Sequence, residues 1–159
     1  IKAFRYGVKW INGYQFTIGR MYCIDIQAST GEEIHLRMKT VYGLRRQQLH
    51  KKFQELLSAL HYHFFDAMAE KYFQQFITGQ SFELAGATIT SAGICINKTA
   101  GVVPWSDIGV AAHREYHSIF NKLVPGQYRT FDHVSDWNAP LLYSVVRGIL
   151  KEKGIEYDK

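Results

Sequence analysis

Two periods divide the chain. From Phe4 to Ile11 apolar and polar side chains alternate (Phe4, Tyr6, Val8 and Trp10 against Arg5, Gly7 and Lys9), and the run stops at Asn12-Gly13. Period two followed by Asn-Gly predicts a strand and a tight hairpin turn. Its partner strand is expected over Tyr14 to Tyr22, continuing to Ile26, and Ser29-Thr30-Gly31-Glu32 reads as the next turn. Ile34-His35-Leu36-Arg37-Met38 alternates again, completing a three-stranded antiparallel meander with one apolar face. The period then becomes helical. Leu49, Phe53, Leu56, Leu57 and Leu60 form one stripe, with Arg45, Gln48, Lys52 and Glu55 opposite, which predicts a helix from Leu44 to Tyr62. A second stripe, Phe65, Met68, Tyr72, Phe73 and Phe76, runs to a stop at Gly79. No Pro or Gly marks the joint near His61-Tyr62-His63, so one long bent helix fits the pattern as well as two.

Strand-like runs then return at Phe82–Leu84, Ala87–Thr90, Ile94–Ile96, Val102–Trp105, Asp107–Val110, Tyr116–Phe120 and Tyr128–Phe131. A closing helix is expected from Asn138-Ala139-Pro140, with Asn as N-cap, Pro in the first turn and Gly154 at the stop. Its apolar face is Leu141, Leu142, Val145, Val146, Ile149 and Leu150.

Strands followed by a helix, twice over, imply an α+β chain of two similar halves, each an antiparallel meander closed by a C-terminal amphipathic helix. The boundaries are 1–62 for a partial first half of three strands and a helix, 63–80 for a connecting helix, and 81–159 for the second. If both halves are one fold, the first lacks its opening strands, and native chain is expected upstream of Ile1.

The stretches Thr90-Ser91-Ala92-Gly93-Ile94 and Val103-Pro104-Trp105-Ser106-Asp107-Ile108, followed by a terminal helix, resemble bacterial pleckstrin-homology-like (PH-like) domains. The resemblance covers residues 82 to 153, and the first half through element order alone. It implies that Trp105 packs on the sheet and Ile108 enters the core. It also implies binding of lipid, peptide or protein without chemistry, since the fold does not fix a function.

Composition agrees with a packed domain: 47% apolar, 21% charged and 14% aromatic residues supply a core and exclude disorder. The net charge of +5 permits anionic partners, and its charges occur in both halves. Cys23 and Cys95 lie in strand-like apolar runs and read as buried thiols. No apolar stretch reaches the 18 residues of a membrane span, and no signal peptide is recognisable. A cytoplasmic location, or one at the inner face of a membrane, is the expectation.

No catalytic, cofactor-binding or metal-binding residues are assigned. Gly-x-Ser-x-Gly and the phosphate-loop glycine patterns are absent. His113 and His117, four apart in a strand or turn, read as surface histidines; His61 and His63, near a helix joint, are expected to diverge. An enzyme with a site split between the halves would need a deep pocket lined by several titratable groups. The candidate anion contacts are Arg45 and Arg46, which also read as a solvated helix face, and Lys98, which by the resemblance occupies the position of a headgroup-binding loop. The leading expectation is a non-enzymatic module that binds a protein or peptide partner, with anionic lipid as the alternative, no nucleic acid, and self-association through an exposed sheet edge as a further route.

Overall fold

The computed structural model describes residues 1–97 and 101–156. Strands β1 (Ala3–Asn12), β2 (Thr17–Gln27) and β3 (Glu33–Val41) pair antiparallel in that order. Their register sets Phe4, Tyr6 and Val8 beside Ile26, Ile24 and Tyr22, and these beside Ile34, Leu36 and Met38. The hairpin differs from the expected two-residue turn. Asn12 pairs with Thr17, and the Gly13 amide donates to the Phe16 carbonyl at 2.8 Å. A turn centred on Asn12-Gly13 would bring Val8 to Thr17 and Phe4 to Met21. Tyr22, Ile24 and Ile26 would then share a face with Arg5 and Lys9. Gathering the apolar side chains on one face outweighs the local turn preference, and Tyr14, expected in a strand, is left at the hairpin tip.

Helices α1 (Arg46–Leu60) and α2 (Asp66–Ile77) join without a break through a π-helical turn at His61–Phe65. The two apolar stripes explain it. In an unbroken α-helix the five residues from Leu60 to Phe65 would rotate Phe65 to about 140° from Leu60. The wider π turn brings the stripes into phase, so that Phe53, Leu60, Phe65 and Phe76 are all buried.

A four-stranded meander follows: β4 (Phe82–Leu84), β5 (Ala87–Ile89), β6 (Gly93–Cys95) and β7 (Val103–Pro104). A 3₁₀ turn, Trp105–Asp107, then leads into a three-stranded sheet of β8 (Ile108–Ala112), β9 (Tyr116–Asn121) and β10 (Tyr128–Asp132). Trp105 was expected on a strand. In the turn it is still buried: its indole N–H donates to the Thr90 carbonyl at 3.0 Å, and its ring meets Phe76 edge-on. Helix α3 (Ala139–Glu152) closes the fold with the six expected apolar residues buried. Gly154, at φ 66°, ends it, and the Ile155 amide donates back to the Leu150 carbonyl.

The architecture is thus α+β, with three antiparallel sheets and a closing helix. One apolar cluster runs from Phe4, Tyr22 and Phe53 through Phe65 and Phe76 to Ile89, Ile119, Phe131 and α3. The halves are also sewn together by backbone. Asn138, expected to cap α3, makes no side-chain cap and instead accepts the Phe4 amide on Oδ1 at 3.1 Å, while its own amide donates to the Phe4 carbonyl at 2.8 Å. The Tyr6 amide donates to the His133 carbonyl at 3.0 Å. Residues 133–138 therefore occupy the outer edge of β1. The outer edge of β3 has no strand partner among the described residues.

Candidate functional site: a groove along the long helix, and a cationic tip

Three adjoining cavities follow one face of the long helix from Gln54 to Phe73, about 28 Å at 1.5 Å per residue. The central one, about 580 Å³, lies between β1, the π turn and α3, and is lined by Tyr6, His61, Phe65, His133, Tyr143 and Lys151 among others. Towards the start of the helix it meets a cavity walled by Gln54, Leu57 and Ser58, sharing Tyr6 and His61. Towards the end it meets one walled by Asp66, Glu70 and Phe73, sharing Phe65 and Ser144.

The π turn positions His61. Its ring stacks on Phe65, with centroids 4.2 Å apart, and Nε2 lies 2.8 Å from the Tyr6 hydroxyl. Burial pushes the Tyr6 phenol up to about 12 and lowers His61 despite nearby Asp66, so the pair is uncharged near neutrality. Beneath it, His133 Nε2 lies 3.2 Å from His117 Nδ1. Burial, reinforced by His133, holds His117 down at about 3, and burial also lowers His133. The remaining charge in the central cavity is positive, from Arg147 and Lys151, and no carboxylate lines it; the end walled by Asp66 and Glu70 is acidic.

The central cavity thus gathers several titratable groups, as a split-site enzyme would require. A nucleophilic phenol needs a lowered pKa, and burial raises that of Tyr6. Among the described residues no three His, Cys, Asp or Glu converge as metal ligands.

His117 corrects an expectation: it is fully buried rather than on the surface. Strand alternation turns it inward, where it stacks on Phe131, while His113 stays exposed against Tyr116. His61 and His63 diverge, His63 being exposed. Cys23 is buried, and burial raises its thiol pKa; Cys95 is only half-buried, and the two form no disulfide. Trp137 lies half-exposed under the Arg5 guanidinium. On the same sheet face Asp25 is buried and bonded by Arg5, Arg37 and His35.

Of the candidate anion contacts, Arg45 and Arg46 are exposed at the start of α1, and Lys98 lies outside the described residues. Arg46 belongs to a second concavity of about 390 Å³, shared with Trp10, Phe16, Arg20 and Tyr42. Trp10 is stacked by two guanidinium groups, Arg20 and Arg114, at 4.3 and 4.4 Å. Sequence reasoning missed Arg20, Arg114 and Tyr6. One signal was available for the cationic end: no Asp or Glu occurs before Asp25, or between Ile34 and Gln54. The charge, expected to be scattered through both halves, is instead concentrated in one. Residues 1–62 hold ten Lys and Arg against four acids, a net +6, and residues 63–159 nine against ten, a net −1.

Comparison with protein-family models, with curated proteins and with solved structures finds no match to this chain.

Proposed function

We propose that the chain is a non-enzymatic interaction module that holds an extended peptide segment of a partner protein in the groove along the long helix. The observation that carries this reading is the groove's length and charge order. Three cavities in line suit a chain better than a compact ligand, and they run from a polar end through a cationic centre to an acidic end. The matching peptide places an acidic residue over Lys151 and a basic residue over Asp66 and Glu70, with an aromatic or aliphatic side chain against Phe65 and Tyr143.

We extend the proposal to the fold family. A four-stranded meander, a three-stranded meander and a terminal helix are the elements expected of a PH-like domain over residues 81–159. The succession β1-β2-β3 and helix repeats the closing part, β8-β9-β10 and α3, of that order.

Display of a random nonapeptide library against the full chain tests the binding reading. Enriched peptides are expected to carry an acidic and a basic residue in fixed spacing, and Lys151→Glu and Asp66→Lys each to weaken them tenfold or more. Enriched peptides that bind both variants as well as the parent, or no enrichment at all, would overturn it.

A further inference from the structure

The groove leaves unexplained a group of exposed apolar side chains in the loops of the first half. Tyr14 is 99% exposed, Tyr42 74%, Leu44 73% and Phe16 66%. All four belong to two loops at one end of the first sheet: the hairpin tip, and the turn between β3 and α1. The loops adjoin, since the Tyr42 amide donates to the Ile18 carbonyl at 2.8 Å, and Phe16 and Tyr42 line one concavity.

Around these side chains stand Arg20, Arg45, Arg46 and Arg114. Among the described residues none of the four is ion-paired. Arg20 and Arg114 are fixed in place by stacking on Trp10. Helix α1 also begins against its own macrodipole, with two arginines, no side-chain cap and no acid in its first turn. The loop backbone is strained besides. Tyr42 and Arg45 both have left-handed φ, 52° and 55°, a conformation that costs a residue with a Cβ roughly 1 kcal/mol or more.

We infer that this tip docks on an anionic membrane surface, with Tyr14, Phe16, Tyr42 and Leu44 entering the interface and the arginines meeting lipid phosphates and carboxylates. Charge complementarity selects the partner. Aromatic and aliphatic side chains on protruding loops, ringed by cations, match the interfacial zone of a bilayer, where aromatic rings settle at headgroup level and each basic residue near an anionic surface adds about 1 kcal/mol. A nucleic acid would be gripped by a basic groove with its aromatics inside, whereas here Tyr14 and Leu44 stand exposed outside the concavity that Phe16 and Tyr42 line. The first half carries the chain's whole charge excess. Another exposed apolar loop, at Leu123 and Val124, has no arginine neighbour in sequence, and its Lys122 ammonium donates to the Glu156 carbonyl.

The test is sedimentation of the full chain with vesicles of phosphatidylcholine alone and with 30 mol% phosphatidylserine, beside a DNA duplex as an alternative polyanion. Binding is expected only to the serine-containing vesicles, weakening at least fivefold from 50 to 300 mM salt. Tyr14→Ala with Phe16→Ala, and Arg20→Gln with Arg46→Gln, are each expected to reduce it tenfold or more, while Leu123→Ala leaves it unchanged. Unchanged circular dichroism melting of the aromatic pair, whose side chains are exposed, separates lost docking from lost folding. No binding to anionic vesicles at low salt overturns the inference. So does binding that ignores the aromatic pair, or that the duplex matches with equal loss in the arginine variant, since plain polyanion attraction would then account for it. Both variants leave the groove intact, so this inference and the peptide reading fail independently.

Discussion

The two halves contain similar elements and use their large side chains in opposite ways. In the second, Leu141, Leu142, Ile149 and Leu150 are fully buried with Ile89, Ile94, Ile108, Ile119 and Phe131. In the first, full burial reaches only Phe4 and Tyr22 among the largest side chains, while Tyr14, Phe16, Tyr42 and Leu44 stand in solvent. Charge divides the same way, +6 against −1. A half that keeps Tyr14, Phe16, Tyr42 and Leu44 exposed, and Arg20, Arg45 and Arg46 without ion pairs among the described residues, is giving up stability, and the second half holds the structure that carries it. This is the division expected of a scaffold and a contact surface.

The comparison breaks most visibly at α3. Leu142→Ala or Ile149→Ala should cost about 2–5 kcal/mol by removing fully buried methyl groups. Leu44→Ala, an equally large truncation in the first half, should change stability by less than about 0.5 kcal/mol. Urea denaturation of the three variants measures the contrast directly. If Leu44→Ala costs as much as Leu142→Ala, the tip is structural rather than a contact surface.

Acid should separate the halves next. His117 is buried and neutral, held at about 3 against an ordinary 6.5. The unfolded chain takes up a proton below pH 6.5 that the folded chain refuses, so the stabilisation present above 6.5 falls as pH drops towards 3, by about 2 kcal/mol between pH 6.5 and 5. Asp25 belongs to a lower window. Burial alone would raise its carboxyl, but hydrogen bonds from Arg37, His35 and Arg5 prevail and hold it at about 2. Its contribution, present above about pH 4, is lost only as pH falls towards 2. His117→Phe should therefore reduce the fall in stability between pH 6.5 and 5, the remainder coming from His61 and His133, which burial also lowers, and leave the decline below pH 4 in place. A decline between 6.5 and 5 as steep in this variant as in the parent would exclude His117 as a source.

A third test addresses the seam. A Cβ on Gly7 would lie 2.5 Å from Val134 Cγ2, where residues 133–138 cross β1. Gly7→Ala should cost about 1–3 kcal/mol and raise hydrogen exchange at the Tyr6 amide. Unchanged exchange there would mean that the halves do not depend on this contact.

Much of this was legible in the pattern of residues, and what was not has identifiable causes. Strand and helix periods located nearly every element, because burying one face is what both periods express. The hairpin was misread because Asn12-Gly13 is a strong local signal, and only the pairing of Tyr22, Ile24 and Ile26 with Phe4, Tyr6 and Val8 overrides it. The π turn was present as two stripes out of phase, but no residue type announces such a turn. Asn138 looked like a cap because capping is the local use of Asn, and its actual partner is 134 residues away. The sites were least visible. Tyr6, His61 and Lys151 come from three distant segments, and Trp10 meets Arg114 only once the halves are packed. From within the concavities, Arg46 was singled out beforehand as an anion contact, and His61 only as a histidine expected to diverge from His63.

The smallest expected effect has the opposite sign. Tyr42 adopts φ 52°, is exposed, and is not a residue type that favours left-handed backbone. If its strain serves only the fold, replacing it should be harmful. If it is tolerated because the ring belongs to the contact surface, relief should stabilise the protein and weaken the contact. Tyr42→Gly removes the Cβ conflict, offset in part by the greater freedom of glycine in the unfolded chain. The expected outcome is a gain of about 0.5 kcal/mol in urea denaturation together with a several-fold loss of binding to phosphatidylserine vesicles, the exchange of stability for function typical of contact sites. A variant that gains stability and binds as before would detach the strained turn from the docking surface, leaving Tyr14, Phe16 and the arginines to carry it.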